Sequence, residues 1–409
     1  VGAWAGVVLS NRISPPAVLL DCRAIFSKGV RMSMNRAINT GLLPEGLSDR
    51  LPPQAEASAR LVRSVLDTAA SHGYARVMPP MAEFEDTLVG RLQSAGAEDM
   101  LRAIDPMSQR TLALRPDITA QVGRIAETRM AGAPRPLRLS YAGQVLKLRA
   151  DQLRPEREEM QVGAELIGTD SEVAATEIVS VAIEALQAAG VSDITIDFTL
   201  PDLVDQLAAG PLPLPVELVE AVRARLDAKD AGGLVALGDQ AAAYLPLVEA
   251  AGSFHAAMEK LEALDIGDAL ASRIAALRAI AKPIGWDITL TLDPTERHGF
   301  EYHSWFGFSI FASGFVGEIG RGGSYAIERG EGEAAEPAIG FSLYPDPLID
   351  AGFGSKETKR IFLPLGYDAE CAKALRADGW RTVAALSEFD DGKALDCTYW
   401  LSGDSPTAY

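Results

Sequence analysis

Two short stretches place polar residues where the surrounding apolar pattern calls for buried chain. In Leu114-Arg115-Pro116-Asp117-Ile118-Thr119, Asp117 and Thr119 stand at a strand-to-helix junction. Both can accept hydrogen bonds from the free N–H groups of a first helical turn. In residues 157–165 a period of two puts Arg157, Glu159, Gln161, Gly163 and Glu165 on one strand face, against Met160, Val162, Ala164 and Leu166 on the other. A face so polar either meets solvent or lines a pocket, where it would offer carboxylate charge and amide hydrogen bonds. Taken alone, the residue types favour capping for the first stretch and exposure for the second. The four histidines (His72, His255, His298, His303) and three cysteines (Cys22, Cys371, Cys397) form no metal-ligand or C-x-x-C spacing. No metal, cofactor or disulfide scaffold is therefore expected, and a reducing cytoplasm fits best.

The elements around these residues alternate between helical and strand periods. Residues 53–72 read as an amphipathic helix, with Leu61, Val65 and Ala69 in phase beside Val62 and Leu66, ended by Gly73. A short strand is predicted at 74–77, a helix at 83–93, a strand at 111–114 and a helix at 118–130. Residues 137–141 alternate as a half-buried strand. Ser171 is placed as N-cap of a helix over 172–189, which Gly190 terminates. Residues 193–199 alternate again, with Ile194, Ile196 and Phe198 on one face. Residues 201–283 are rich in Ala and Leu at helical spacing and read as a helical insertion. Strands are expected at 287–292 and 305–312, a glycine-rich turn at 320–323 and a polar loop at 330–336. A strand, helix and strand at 360–363, 369–377 and 382–386 make about half of a small α/β domain. Strands mixed with helices that need not be crossovers indicate an α+β fold.

With 409 residues, 48% of them hydrophobic, the chain can hold two or three domains. Its formal net charge of −18 opposes nucleic-acid binding, which needs clustered Lys and Arg. Residues 1–35 differ, with Arg12, Arg23, Lys28 and Arg31 against Asp21. Their apolar runs are too short to span a bilayer, and a disordered extension is expected there.

Several ordered motifs together resemble the class II histidyl-tRNA synthetases. Residues 157–165 resemble motif 2 (R-Q-F-h-Q-x-G-x-E), and residues 114–119 the family's L-R-P-E-x-T. Pro80 falls on the motif 1 proline. Arg297-His298-Gly299-Phe300-Glu301-Tyr302 resembles R-G-L-D-Y-Y, Arg321-Gly322-Gly323-Ser324-Tyr325 resembles A-G-G-R-Y, and residues 337–348 resemble motif 3. The resemblance covers residues 43–348 and implies an antiparallel sheet flanked by helices. It assigns Asp117, Thr119 and Gln161 to the ammonium of histidine. Glu165 and Tyr302 would meet the imidazole, with Tyr325 closing the pocket, and Arg297 the carboxylate. Lys147 and Arg157 would contact a ligand carboxylate or phosphate.

Three departures speak against aminoacylation. Motif 3 should end G-L-E-R but reads Tyr344-Pro345-Asp346-Pro347. The F-R-x-E of motif 2 becomes Leu146-Lys147-Leu148-Arg149, with loss of the arginine fork. The C-terminal segment, 356–409, is too short for a whole anticodon-binding domain. A synthetase-like body at 36–200 and 284–355 without these parts resembles the regulatory subunits of ATP phosphoribosyltransferase. That resemblance implies a non-catalytic, cytoplasmic subunit without tRNA or membrane contact. It also implies a self-dimer within a hetero-oligomer holding the short-form catalytic subunit, with histidine as feedback effector of histidine biosynthesis. A diverged synthetase, or another synthetase-like amino-acid-binding module, remains as an alternative.

Overall fold

The amphipathic pattern at 53–72 forms the helix Gln54–Ser71, which buries Ala57, Leu61, Val65, Leu66 and Ala69. Gly73, at φ 84°, supplies the left-handed residue that turns the chain out of it. The computed structural model describes residues 42–89, 100–148, 155–264, 266–297, 303–329 and 333–409. Residues 45–409 make one unit and residues 1–44 another. The expected N-terminal extension, residues 1–35, lies outside the described residues.

A nine-stranded sheet organises the larger unit. Its spatial order is Ala75–Arg76, Leu137–Leu146, Glu158–Ile167, Glu336–Leu343, Gly320–Ile327, His303–Ala312, Ile194–Thr199, Thr289–Leu292 and Gly252–Ser253. The six strands from Leu137–Leu146 to Ile194–Thr199 are antiparallel throughout. The two parallel pairings lie outside them. On one face the helices Gln54–Ser71 and Glu172–Ala188 pack on Val162, Ala164 and Leu166. Ser171 caps the second helix as expected, accepting from the Ala174 N–H at 3.3 Å. On the other face the helix Thr119–Thr128 brings Ala120, Val122 and Ala126 against Leu137, Leu139, Tyr141 and Ile167.

The helix Thr119–Thr128 overturns the exposed reading of the polar strand. Glu159 is 5% exposed, Gln161 0% and Glu165 1%, because the helix roofs the face that the local pattern leaves open. The expected turn at 320–323 is also corrected: these residues are the first half of the strand Gly320–Ile327. Their glycines answer to crowding. A Cβ on Gly322 would meet the Gly340 carbonyl oxygen at 2.4 Å, and one on Gly323 would meet His303 at 2.1 Å. The helix expected at 83–93 is a three-residue strand, Ala82–Phe84, and a single turn, Glu85–Leu88; residues 90–99 lie outside the described ones.

Seven helices run from Leu203–Ala208 to Gly267–Ala281 among the described residues. Val222, Leu226, Leu247 and Leu261 from them join the same core as the sheet. Near the C-terminus the predicted strand–helix–strand is present, and two further strands, Tyr399–Ser402 and Ser405–Ala408, complete a four-stranded sheet.

Candidate functional site

Glu165 lies in the strand Glu158–Ile167 with both oxygens engaged. Tyr325 donates its hydroxyl to Oε2 at 2.8 Å and Tyr141 donates to Oε1 at 3.1 Å. Burial pushes the Glu165 carboxyl up to about 8, against the opposing effect of the Tyr325 and Tyr141 hydrogen bonds. Burial and the neighbouring Glu165 raise the Tyr141 hydroxyl well above its ordinary value. Tyr141 also lies 2.8 Å from Ser342 Oγ and 3.3 Å from Thr119 Oγ1.

Gln161, four residues earlier on the same face, ties this group to the helix entrance. Its Oε1 accepts from the Ile118 N–H at 2.9 Å, while Nε2 donates to Asp117 Oδ2 at 2.7 Å and Ser342 Oγ at 2.8 Å. The other Asp117 oxygen accepts from the Thr119 N–H at 2.7 Å. Asp117 thus serves the helix start and also faces the buried network, whereas the Thr119 hydroxyl, expected to cap as well, meets Tyr141 instead. The structure gathers Asp117, Thr119, Gln161, Glu165 and Tyr325 into one hydrogen-bonded group.

Tyr141 and Ser342 complete it and were missed from sequence. Tyr141 falls in phase with Leu137 and Leu139 and reads as core. The one available signal was its phenolic hydroxyl, which a buried tyrosine must satisfy.

Arg297, Lys147 and Arg157 make their contacts outside this network. Arg297 places NH1 3.6 Å from Glu220 Oε2, and its backbone N–H donates to Asp227 Oδ1 at 2.9 Å. Lys147 Nζ is 2.7 Å from Glu159 Oε2. Arg157 donates to the carbonyls of Lys147 at 3.2 Å and Glu45 at 3.4 Å. Tyr302 lies outside the described residues. Beside Lys147, two overlapping clefts of about 430 Å³ each are lined by Asp49, Arg50, Glu159 and Asp346, with Glu158 in one and Glu156 and Asp350 in the other. Arg50 pairs with Asp346 at 3.0 Å. Carboxylates dominate these walls, an unfavourable setting for a triphosphate.

Glycines let the network close. A Cβ on Gly340 would sit 1.7 Å from Glu165 Oε2, and one on Gly163 would sit 2.1 Å from the Phe341 carbonyl oxygen. The hollow among Thr119, Glu165, His303, Arg321, Tyr325 and Ser342 is about 10 Å³, at the lower edge of what one water needs. An amino acid enters only when side chains lining it move. Gly340→Ala is expected to destabilise the fold by about 1–3 kcal/mol, as overpacked cores do. Chemical denaturation against the parent checks this; an unchanged midpoint at unchanged slope would mean that Glu165 yields freely.

Among the described residues, no three or more His, Cys, Asp or Glu side chains converge as metal ligands, and no helix is long and apolar enough to cross a membrane.

The antiparallel sheet, with the motif 2 and motif 3 strands paired across Glu165 and Gly340, is that of the class II aminoacyl-tRNA synthetases. A histidyl-tRNA synthetase family model matches residues 46–348. The regulatory subunit of ATP phosphoribosyltransferase from Paramagnetospirillum magneticum is 43% identical over 379 residues, which are 91% of this chain and 98% of that protein. The chain belongs to the family of ATP phosphoribosyltransferase regulatory subunits. A Bacillus halodurans structure described as an ATP phosphoribosyltransferase regulatory subunit/histidyl-tRNA synthetase superposes with a TM-score of 0.74 at 22% identity, covering 88% of this chain and 96% of that one. A chain from the ATP phosphoribosyltransferase complex of Thermotoga maritima has the same fold, with a TM-score of 0.55 at 16% identity over 69% of this chain and 96% of that one.

Proposed function

We propose that this chain supports a short-form ATP phosphoribosyltransferase catalytic subunit in the first step of histidine biosynthesis, and that histidine binding at Glu165 regulates the complex. The observation that carries the effector site is the buried group of Gln161, Glu165, Tyr141 and Tyr325 with half-buried Asp117 bonded to it, a set of acceptors and hydroxyls suited to an ammonium and an imidazole. In this assignment Asp117, Thr119 and Gln161 take the ammonium. Glu165, Tyr302 and Tyr325 take the imidazole, and Arg297 the carboxylate. Lys147 and Arg157 would have to exchange their present partners to reach a ligand.

Aminoacylation is not part of the proposal. The arginine that ends motif 3 in the synthetases is replaced by Pro347, and the adjoining clefts are acidic. Loss of a charge clamp of this kind typically costs about 10²–10³ in rate. Within the cytoplasm, residues 36–200 and 284–355 would form the body of a self-dimer inside the hetero-oligomer. Residues 201–283 would be an insertion and 356–409 a short remnant.

The test pairs two assays of the purified chain. It is expected to show no histidine-dependent ATP–pyrophosphate exchange, and to raise the catalytic subunit's turnover in a manner that histidine suppresses. A coupling of about 1–3 kcal/mol would shift affinity roughly 5- to 150-fold. Exchange at a synthetase-like rate, or no effect on the catalytic subunit, would overturn the proposal.

A further inference from the structure

His303 is the first residue of the strand His303–Ala312, opposite Tyr325, and is buried. Its ring lies over the neighbouring strand, where a Cβ on Gly323 would fall against its Cδ2 and Nε2. Gly323 and Gly340 are register partners, and the Glu165 carboxyl lies over Gly340 in the same manner. Directly opposite residues of an antiparallel pair share a face, with Cβ positions about 4.5–5.5 Å apart. The His303 imidazole and the Glu165 carboxyl therefore lie side by side, each in space that a glycine leaves open. Both line the hollow of about 10 Å³ that Tyr325 also lines. The protein thus holds an imidazole of its own beside the residues assigned to the imidazole of the ligand. Burial, and then the Arg321 charge, keep that ring neutral, with its pKa down at about 3, so that its place in the pocket adds no buried charge.

The strand is built so that this residue can leave. Register shifts between His303 and Gly307, and the ladder to Gly320–Gly323 runs unbroken only from Gly307 to Ile310. Pairing with the strand Ile194–Thr199 also begins at Gly307. Ser324 Oγ anchors the irregular stretch, accepting from the Trp305 and Phe306 N–H groups at 3.2 and 3.1 Å. Displacing His303 therefore leaves the ladder zipped. Irregularities in a strand are common beside sites where a side chain is re-aimed.

We infer that His303 is a built-in stand-in for the ligand: its ring fills the place beside Glu165 in the closed pocket, and free histidine binds by displacing it. The inference rests on histidine occupying this pocket, as proposed above, and leaves the ligand carboxylate with Arg297. A hollow of about 10 Å³ cannot take a second ring while the first stays. The two imidazoles exclude each other, and the hold of the protein on its own ring sets the histidine concentration at which the pocket fills.

Calorimetric titration of the full chain with histidine tests it, using the parent, His303→Ala, His303→Asn, Glu165→Ala and the double variant His303→Ala/Glu165→Ala. His303→Ala is expected to bind histidine about tenfold more tightly than the parent, because no ring has to be expelled first. The double variant should show no such gain over Glu165→Ala, which mere extra space would not predict. His303→Asn, polar but smaller, should fall between parent and alanine, and it carries the test if the alanine variant melts early. In the parent, the ring-proton resonances of His303, assigned by their loss in His303→Asn, should shift to solvent-exposed positions as histidine is added. Unchanged or weaker binding in the folded His303 variants would overturn the inference, as would His303 resonances that stay in place at saturation. If neither the parent nor His303→Ala binds histidine, the pocket assignment itself fails. If the parent binds histidine, Glu165→Ala abolishes it and His303→Ala changes nothing, only the role of His303 fails.

Discussion

Glu165→Ala is expected to weaken histidine binding roughly 10- to 150-fold and to remove histidine's effect on the complex. The carboxylate is the acceptor at the centre of the buried network, 2.8 Å from Tyr325 and 3.1 Å from Tyr141. A protonated imidazole beside it would favour the ionised form of this carboxyl; a hydrogen bond to that charged group contributes about 1.5–3 kcal/mol, and each 1.4 kcal/mol is tenfold in affinity. The same change removes the acceptor that the Tyr325 and Tyr141 hydroxyls share, while Tyr141 keeps Ser342 and Thr119 beside it. Stability must therefore be measured beside affinity. Glu165→Gln keeps the shape and most of the hydrogen bonds, which separates lost recognition from lost fold. Full histidine inhibition of a folded Glu165→Ala complex would remove this pocket as the sensor.

The second large effect is on pH. In the folded protein the Glu165 carboxyl titrates at about 8, against an ordinary 4.5, chiefly because it is buried. Between those values the folded state keeps a proton that the unfolded chain has released. The contribution of this group to stability is then lost progressively as pH rises, by about 1.4 kcal/mol per unit, and levels off above about 8. Glu165→Gln carries no such proton. Its stability relative to the parent should climb from pH 5 to pH 8, read as guanidinium midpoints at each pH. Parallel curves across that range would mean that the folded protein holds Glu165 ionised throughout.

Much of the frame was legible because it is local. The helix Gln54–Ser71 and the strand Ile194–Thr199 announce themselves by periods that need no knowledge of what they pack against. The polar strand Glu158–Ile167 could not be settled in that way. Its burial depends on the helix Thr119–Thr128, some forty residues away in sequence. Residue type also misled at 320–323, where glycine commonly marks a turn but here marks side chains and carbonyls pressed against the strand. Ser405–Ala408 lacks an apolar face and holds Pro406, so nothing in its pattern announces an edge strand. Motif spacing located Arg297, yet its side chain is placed by Glu220, on the helix Val216–Asp227.

The small volume beside Glu165 has a thermodynamic consequence. If the closed arrangement cannot admit an amino acid, histidine meets only the fraction of molecules caught open. Its apparent affinity is the intrinsic one multiplied by that fraction; with about one molecule in a hundred open, binding is about a hundredfold weaker than the contacts alone would give. Anything that raises the open population then tightens histidine binding without touching it. A neighbouring subunit that props the side chains apart would act in this way. By the same linkage, histidine would hold that subunit more firmly.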